Sequence, residues 1–121
     1  MTTTTDLATS VRRREGVAVI DLQGDVNARA EDSLNAAWEE AMRDAPDAVV
    51  LNFLDAGYIN STGIALVVGL LVKARTKATP IGAFGLSPHY REIFEITRLA
   101  DFLAIENDED SAVRGADGSR A

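Results

Sequence analysis

The stretch Tyr58-Ile59-Asn60-Ser61-Thr62-Gly63 constrains the fold more than any other, because of what flanks it. Before it, Ala48-Val49-Val50-Leu51-Asn52-Phe53-Leu54 is short, mostly apolar and β-branched at its start, as a buried strand should be. After it, Ile64 to Val72 is nearly all apolar, and with Lys73 to Lys77 it is long enough for about four helical turns. A small polar turn between two such elements lies at the carboxyl end of a strand in an α/β domain, where ligands and partners bind.

The rest of the chain fits that frame. Ser10 to Arg14 and Val17 to Leu22 read as a hairpin turning near Glu15-Gly16, with Gly24 ending the second strand and Asp25 to Arg29 a loop. A helix is predicted from about Ala30 to Arg43, since Ala30, Leu34, Ala37, Trp38 and Ala41 form one apolar stripe. Pro46 stops it. After the strand over 48–54, Asp55, Ala56 and Gly57 are read as a link. The second helix ends before Pro80 and carries Lys73, Arg75 and Lys77 in its last turns, where the helix dipole favours cations. Ile81 to Leu86 is a strand, with Gly82 and Gly85 marking close backbone contacts. Ser87-Pro88 starts a third helix as N-cap and first helical residue, and Leu103 to Ile105 is a last strand.

The order β-β-α-β-α-β-α-β predicts an α/β fold with a mostly parallel open sheet and helices packed on it. Residues 1–9 are expected to be a flexible start, 10–106 one domain, and 107–121 an acidic, Gly/Ser-containing, disordered tail. With 121 residues the chain suits a single domain that buries roughly 65% of its unfolded surface.

Composition narrows the chemistry. There are no cysteines, which excludes disulfides and thiolate metal sites. The net charge of −7 argues against nucleic acid as a partner. The one basic run, Arg12-Arg13-Arg14, reads as a solvated strand or edge. No apolar run approaches the roughly 20 residues of a membrane span, and no signal peptide is seen at the N-terminus. The reading is a soluble, cytoplasmic protein with no membrane partner. The single histidine, His89, stands on an expected helix start as a surface residue, and no nucleophile–His–acid set can be assembled. No glycine loop carries a phosphate-binding fingerprint and no Asp-rich loop has calcium spacing. Neither an enzyme nor a cofactor or metal is expected.

Ser61 therefore has two readings. Its hydroxyl could cap the second helix, a job that Asn60 or Thr62 could do equally well. Or it is a phosphoacceptor, where an added charge of roughly −1.5 to −2 meets a positive helix end and disturbs a docked partner more than the fold.

Three stretches together resemble the STAS domain of bacterial anti-sigma factor antagonists, the SpoIIAA and RsbV type, over roughly residues 10–106. These are Val19 to Asn27, then Val49 to Phe53 with Tyr58 to Ile64, then Phe84 to Pro88 with Ile93, Phe94 and Leu99. The resemblance implies a partner-switching protein phosphorylated on Ser61, with Thr62 the second choice. It implies an anti-sigma factor serine/threonine kinase and a PP2C-type phosphatase as partners. It also implies docking through Gly24, Asp25, Val26 and Asn27 together with Asn60, Thr62, Gly63 and Ile64. Two positions depart from the family pattern: Asn27 and Asn60 stand where it has aspartates, which removes charge and keeps hydrogen-bonding capacity. A non-switching scaffold or a small-ligand-binding module is the alternative reading.

Overall fold

A computed structural model describes residues 6–118. Two strands open the chain, β1 (Ala8–Arg14) and β2 (Val17–Val26), paired antiparallel through a two-residue turn. Both turn residues, Glu15 (φ 52°) and Gly16 (φ 84°), are left-handed, which matches the right-handed twist of the flanking strands. Then follow α1 (Glu31–Met42), β3 (Ala48–Ile59), α2 (Ser61–Thr76), β4 (Ile81–Phe84), α3 (Pro88–Ile96), β5 (Ala104–Glu106) and α4 (Glu109–Gly118). Short 3-10 turns precede α1 (Ala28–Ala30) and β5 (Leu99–Asp101).

The sheet has five strands in the order β1-β2-β3-β4-β5, parallel except at the first pair. Strands that follow one another in both chain and sheet are joined by crossovers of one hand, which place α1, α2 and α3 on one face. That face buries Ala18, Ile20 and Leu22 of β2 and Val49, Leu51 and Phe53 of β3 against Leu34, Trp38, Leu70 and Phe94. The expected α1 stripe is buried at every position from Ala30 to Ala41. Phe94 meets Phe53 edge to face with 6.1 Å between ring centroids. The predicted cap of α3 is present: the Ser87 hydroxyl accepts the Tyr90 amide at 3.3 Å.

Alternate residues on the same strands, Val17, Val19, Ala48, Val50 and Phe84, form a second core with Ala112 and Val113 of α4. Here the sequence reading needs correction, because 109–118 is a helix rather than a disordered tail. Asp108 accepts the Ser111 amide (2.8 Å) as an N-cap, and Glu109 and Asp110 lie in the first turn, where acids suit the dipole. The acidic cluster is thus a helix start, and Ala112-Val113 supply the apolar contact. Residues 1–5 and 119–121 of the expected flexible ends lie outside the described residues, while Leu7 is buried and β1 already begins at Ala8.

The arginine run also differs from expectation. Arg12 forks onto Asp21 (2.6 and 2.9 Å) and onto Glu109 (2.6 and 3.2 Å), and Arg14 reaches Glu109 (2.7 Å). Arg13, pointing the other way on the strand, donates to the Glu40 and Ala41 carbonyls at the end of α1 (2.8 and 2.7 Å). The run lies on an edge strand, but it ties both helical layers to the sheet.

Candidate functional site

The proposed docking residues come from two segments more than 30 positions apart, and the sheet joins them. Strand β2 does not end at Gly24, and 55–57 is not a link. Both strands run on as a two-stranded ribbon past the last β4 pairing, with Gln23 opposite Asp55, Gly24 opposite Ala56 and Val26 opposite Ile59. Register shifts between Asp21 and Gln23 and between Gly24 and Val26 bend the ribbon. Asp25 ties it across strands, its carboxylate accepting the Tyr58 amide at 2.9 Å. The Tyr90 hydroxyl of α3 accepts the Ile59 amide at 3.0 Å, which anchors the end of β3.

Val26 is the hinge of the arrangement. Its carbonyl accepts the Asn60 amide at 3.2 Å, so the loop after β2 and the start of α2 share a hydrogen bond. Gly63 is packed against the same carbonyl, where a Cβ would collide with the oxygen. Glycine is required at 63 by this close approach.

The two readings of Ser61 can now be separated. Asn60, with extended backbone, is the N-cap of α2, its Oδ1 accepting the Gly63 amide at 2.8 Å. Ser61 and Thr62, the first two residues of α2, are exposed, and neither hydroxyl makes a hydrogen bond among the described residues. Asn27 has a parallel role, accepting the Arg29 amide at 2.9 Å as cap of the 3-10 turn. Both asparagines therefore do local backbone work that aspartate would do as well. Of the docking residues named from sequence, Gly24, Val26 and Gly63 are buried and support the surface from beneath, Asp25, Asn27 and Ile64 are half-buried, and Asn60 and Thr62 are exposed.

The extended part of β3 that leads to Ser61 presents two large side chains that were not among the docking residues named from sequence. Tyr58 is 79% exposed and Leu54 is 65% exposed, both on the extended end of β3. The signal was available in the strand period, since Leu54 alternates with the buried Phe53. It was hidden because 55–57 read as a link. Chemically, the site offers two exposed hydroxyls on the positive end of a 16-residue helix, hydrogen-bonded through Asn60 to the loop after β2. His89 is exposed and stacked edge-on to Tyr90 (5.0 Å).

Fold and site together define a small α/β domain that presents a strand–helix junction. The sequence profile of the STAS domain matches residues 8–112, and the chain belongs to the STAS domain family. BtrV of Bordetella bronchiseptica is 28% identical over 98 residues, 81% of this chain and 84% of that protein. The anti-sigma-B factor antagonist of Listeria monocytogenes is 34% identical over 59 residues; the match spans 49% of this chain and 52% of the Listeria protein, about half its length. Among solved structures, an anti-sigma factor antagonist from Mycobacterium paratuberculosis superposes with a TM-score of 0.79 at 20% identity, covering 93% of this chain and 95% of that one. Phosphorylated SpoIIAA of Bacillus gives 0.66 at 22% identity, covering 88% and 98%. These structures share the fold, as the sequence resemblance implied. No helix among the described residues is long and apolar enough to cross a membrane.

Proposed function

We propose that this chain is an anti-sigma factor antagonist that works in the cytoplasm by partner switching at Ser61. In its unphosphorylated form it docks on an anti-sigma factor serine kinase through Gly24–Asn27 and Asn60–Ile64, and the sigma factor is freed. The kinase transfers a phosphoryl group to the Ser61 hydroxyl, the modified protein is released, and a PP2C-type phosphatase resets it. The chain is the substrate in this cycle and supplies no catalytic group.

The observation that carries this reading is the division of labour at the α2 start. Asn60 caps the helix, so the exposed Ser61 hydroxyl is free to be modified without loss of the cap. The new anion of roughly −1.5 to −2 charge would meet the positive helix end, and its cost falls on the docked partner. Antagonists named for sigma-B in Listeria, and a Bacillus protein of the same fold in phosphorylated form, support it.

A second reading, a non-switching scaffold, is favoured by Asn27 and Asn60, which bring no charge to the site. The two are separated by in-vitro phosphorylation with candidate serine kinases, mapped by mass spectrometry, and by kinase binding of Ser61→Ala and Ser61→Asp. Switching requires modification at Ser61 and a loss of at least about tenfold in affinity for Ser61→Asp, roughly 1.4 kcal/mol. Equal binding by both variants, with no modification at Ser61 or Thr62, sinks it.

A further inference from the structure

A predominantly apolar concavity lies away from Ser61, at the other end of α2. It is a groove of about 430 Å³ lined chiefly by Val68, Leu71, Val72 and Arg75 of α2 and by Leu99 and Phe102 next to the second 3-10 turn. Its volume falls within the range of small-molecule sites, roughly 300–1,000 Å³. Val72 (59% exposed) and Phe102 (57% exposed) form an open apolar rim. Side chains this apolar do not stay wet without cost, at roughly 25 cal/mol per Å².

One cation stands at the rim. The Arg75 guanidinium carbon lies 5.7 Å from the centre of the Phe102 ring. Among the described residues Arg75 forms no ion pair with a carboxylate, and it is the one arginine that lines this groove, in a chain of net charge −7. The guanidinium lies over the ring face, and its N–H donors make no hydrogen bond among the described residues, which leaves them for a ligand. A planar fork of N–H groups is matched bidentately by a carboxylate.

We propose that this groove binds a small amphipathic carboxylate, its aliphatic or aromatic body lying against Val68, Leu71, Val72 and Phe102 and its carboxylate on Arg75. Charge complementarity selects this occupant over a neutral apolar one, and the concave shape and size select a small molecule over a helix. This site is separate from the Ser61 surface and stands whether or not that surface switches.

The probes are decanoate and decanol below their aggregation limits, titrated into the full chain and followed by amide chemical shifts. The expected result is saturable binding of decanoate, with shifts confined to the carboxyl half of α2 and residues 99–102. Decanol, with the same tail and no charge, should bind at least about tenfold more weakly, as loss of a charged hydrogen-bonded pair requires. Arg75→Gln should remove that preference, and Phe102→Ala should weaken both ligands. Equal affinity for the two probes, shifts centred elsewhere, or no saturation by decanoate overturns the proposal. So does a concentration-dependent dimer by sedimentation that Phe102→Asp abolishes, since a second copy would then be the occupant.

Discussion

The Asn60 side-chain oxygen accepts the Gly63 amide at 2.8 Å, and Gly63 in turn lies against the Val26 carbonyl. The start of α2 and the end of β2 are therefore tied together directly beneath the exposed serine. Asn60→Ala should lose about 1 kcal/mol in urea unfolding, whereas Asn60→Asp should match the native chain or exceed it by a few tenths, because it keeps the cap and adds charge at a positive helix end. Equal loss for both would show that the cap is not what Asn60 supplies.

Two glycines of α2 should respond oppositely to alanine. At Gly63 a methyl group meets the Val26 carbonyl, so Gly63→Ala should cost roughly 2 kcal/mol or more in the same unfolding measurement. At Gly69, exposed in mid-helix with nothing within 4 Å of a Cβ, alanine should stabilise by about 0.5–1 kcal/mol.

Ser61 contributes a hydroxyl and no fold contact. Ser61→Ala and Ser61→Asp should each stay within about 0.5 kcal/mol of the native stability, so any change in partner binding reports on the surface. A melting shift of many degrees for either variant would contradict the geometry of the α2 start.

The clamp of Arg12 on Asp21 and Glu109 should be visible in acid and in salt. The Arg12 guanidinium holds both carboxyls below their ordinary range, aided by Asn52 at Asp21 and by Arg14 at Glu109. Depressed carboxyl values contribute stability that is present above about pH 4 and is lost as pH falls through the folded values. Unfolding free energy should therefore decline on acidification below about pH 4, less steeply for Glu109→Gln. At neutral pH that variant should lose no more than about 1 kcal/mol, and the difference should shrink in 1 M salt.

Removing residues 108–121 should expose Val17, Val19, Ala48, Val50 and Phe84, which α4 covers. The expected readout is a rise in binding of an apolar dye and concentration-dependent aggregation. A shortened chain that stays dye-negative and monomeric would mean that α4 is dispensable as a cover.

Local physics made much of this protein legible. The apolar stripe from Ala30 to Ala41, the cap at Ser87, the hairpin at Glu15-Gly16 and the turn-to-helix junction at Asn60 all follow from side-chain period and cap chemistry within a few residues. The family followed from three such stretches in order. The capping role of Asn60 over Ser61 was left open by sequence, because asparagine and serine are equally good caps and only the chain's path chooses between them.

Tertiary structure alone decided the rest. Residues 55–57 carry no strand signal of their own, and they are strand because bulged β2 runs on beside them, bringing Val26 to Asn60. The tail reads as a solvated acidic run, and it is a helix because Val17, Val50 and Phe84 on the second sheet face need cover that Ala112 and Val113 give. Arg12 and Arg13 look alike in sequence, yet one holds α4 and the other caps α1, because successive side chains of a strand leave opposite faces. Sequence determines which elements form. Which elements meet is set by pairing between distant segments, where a single bulge changes the face that every later side chain presents.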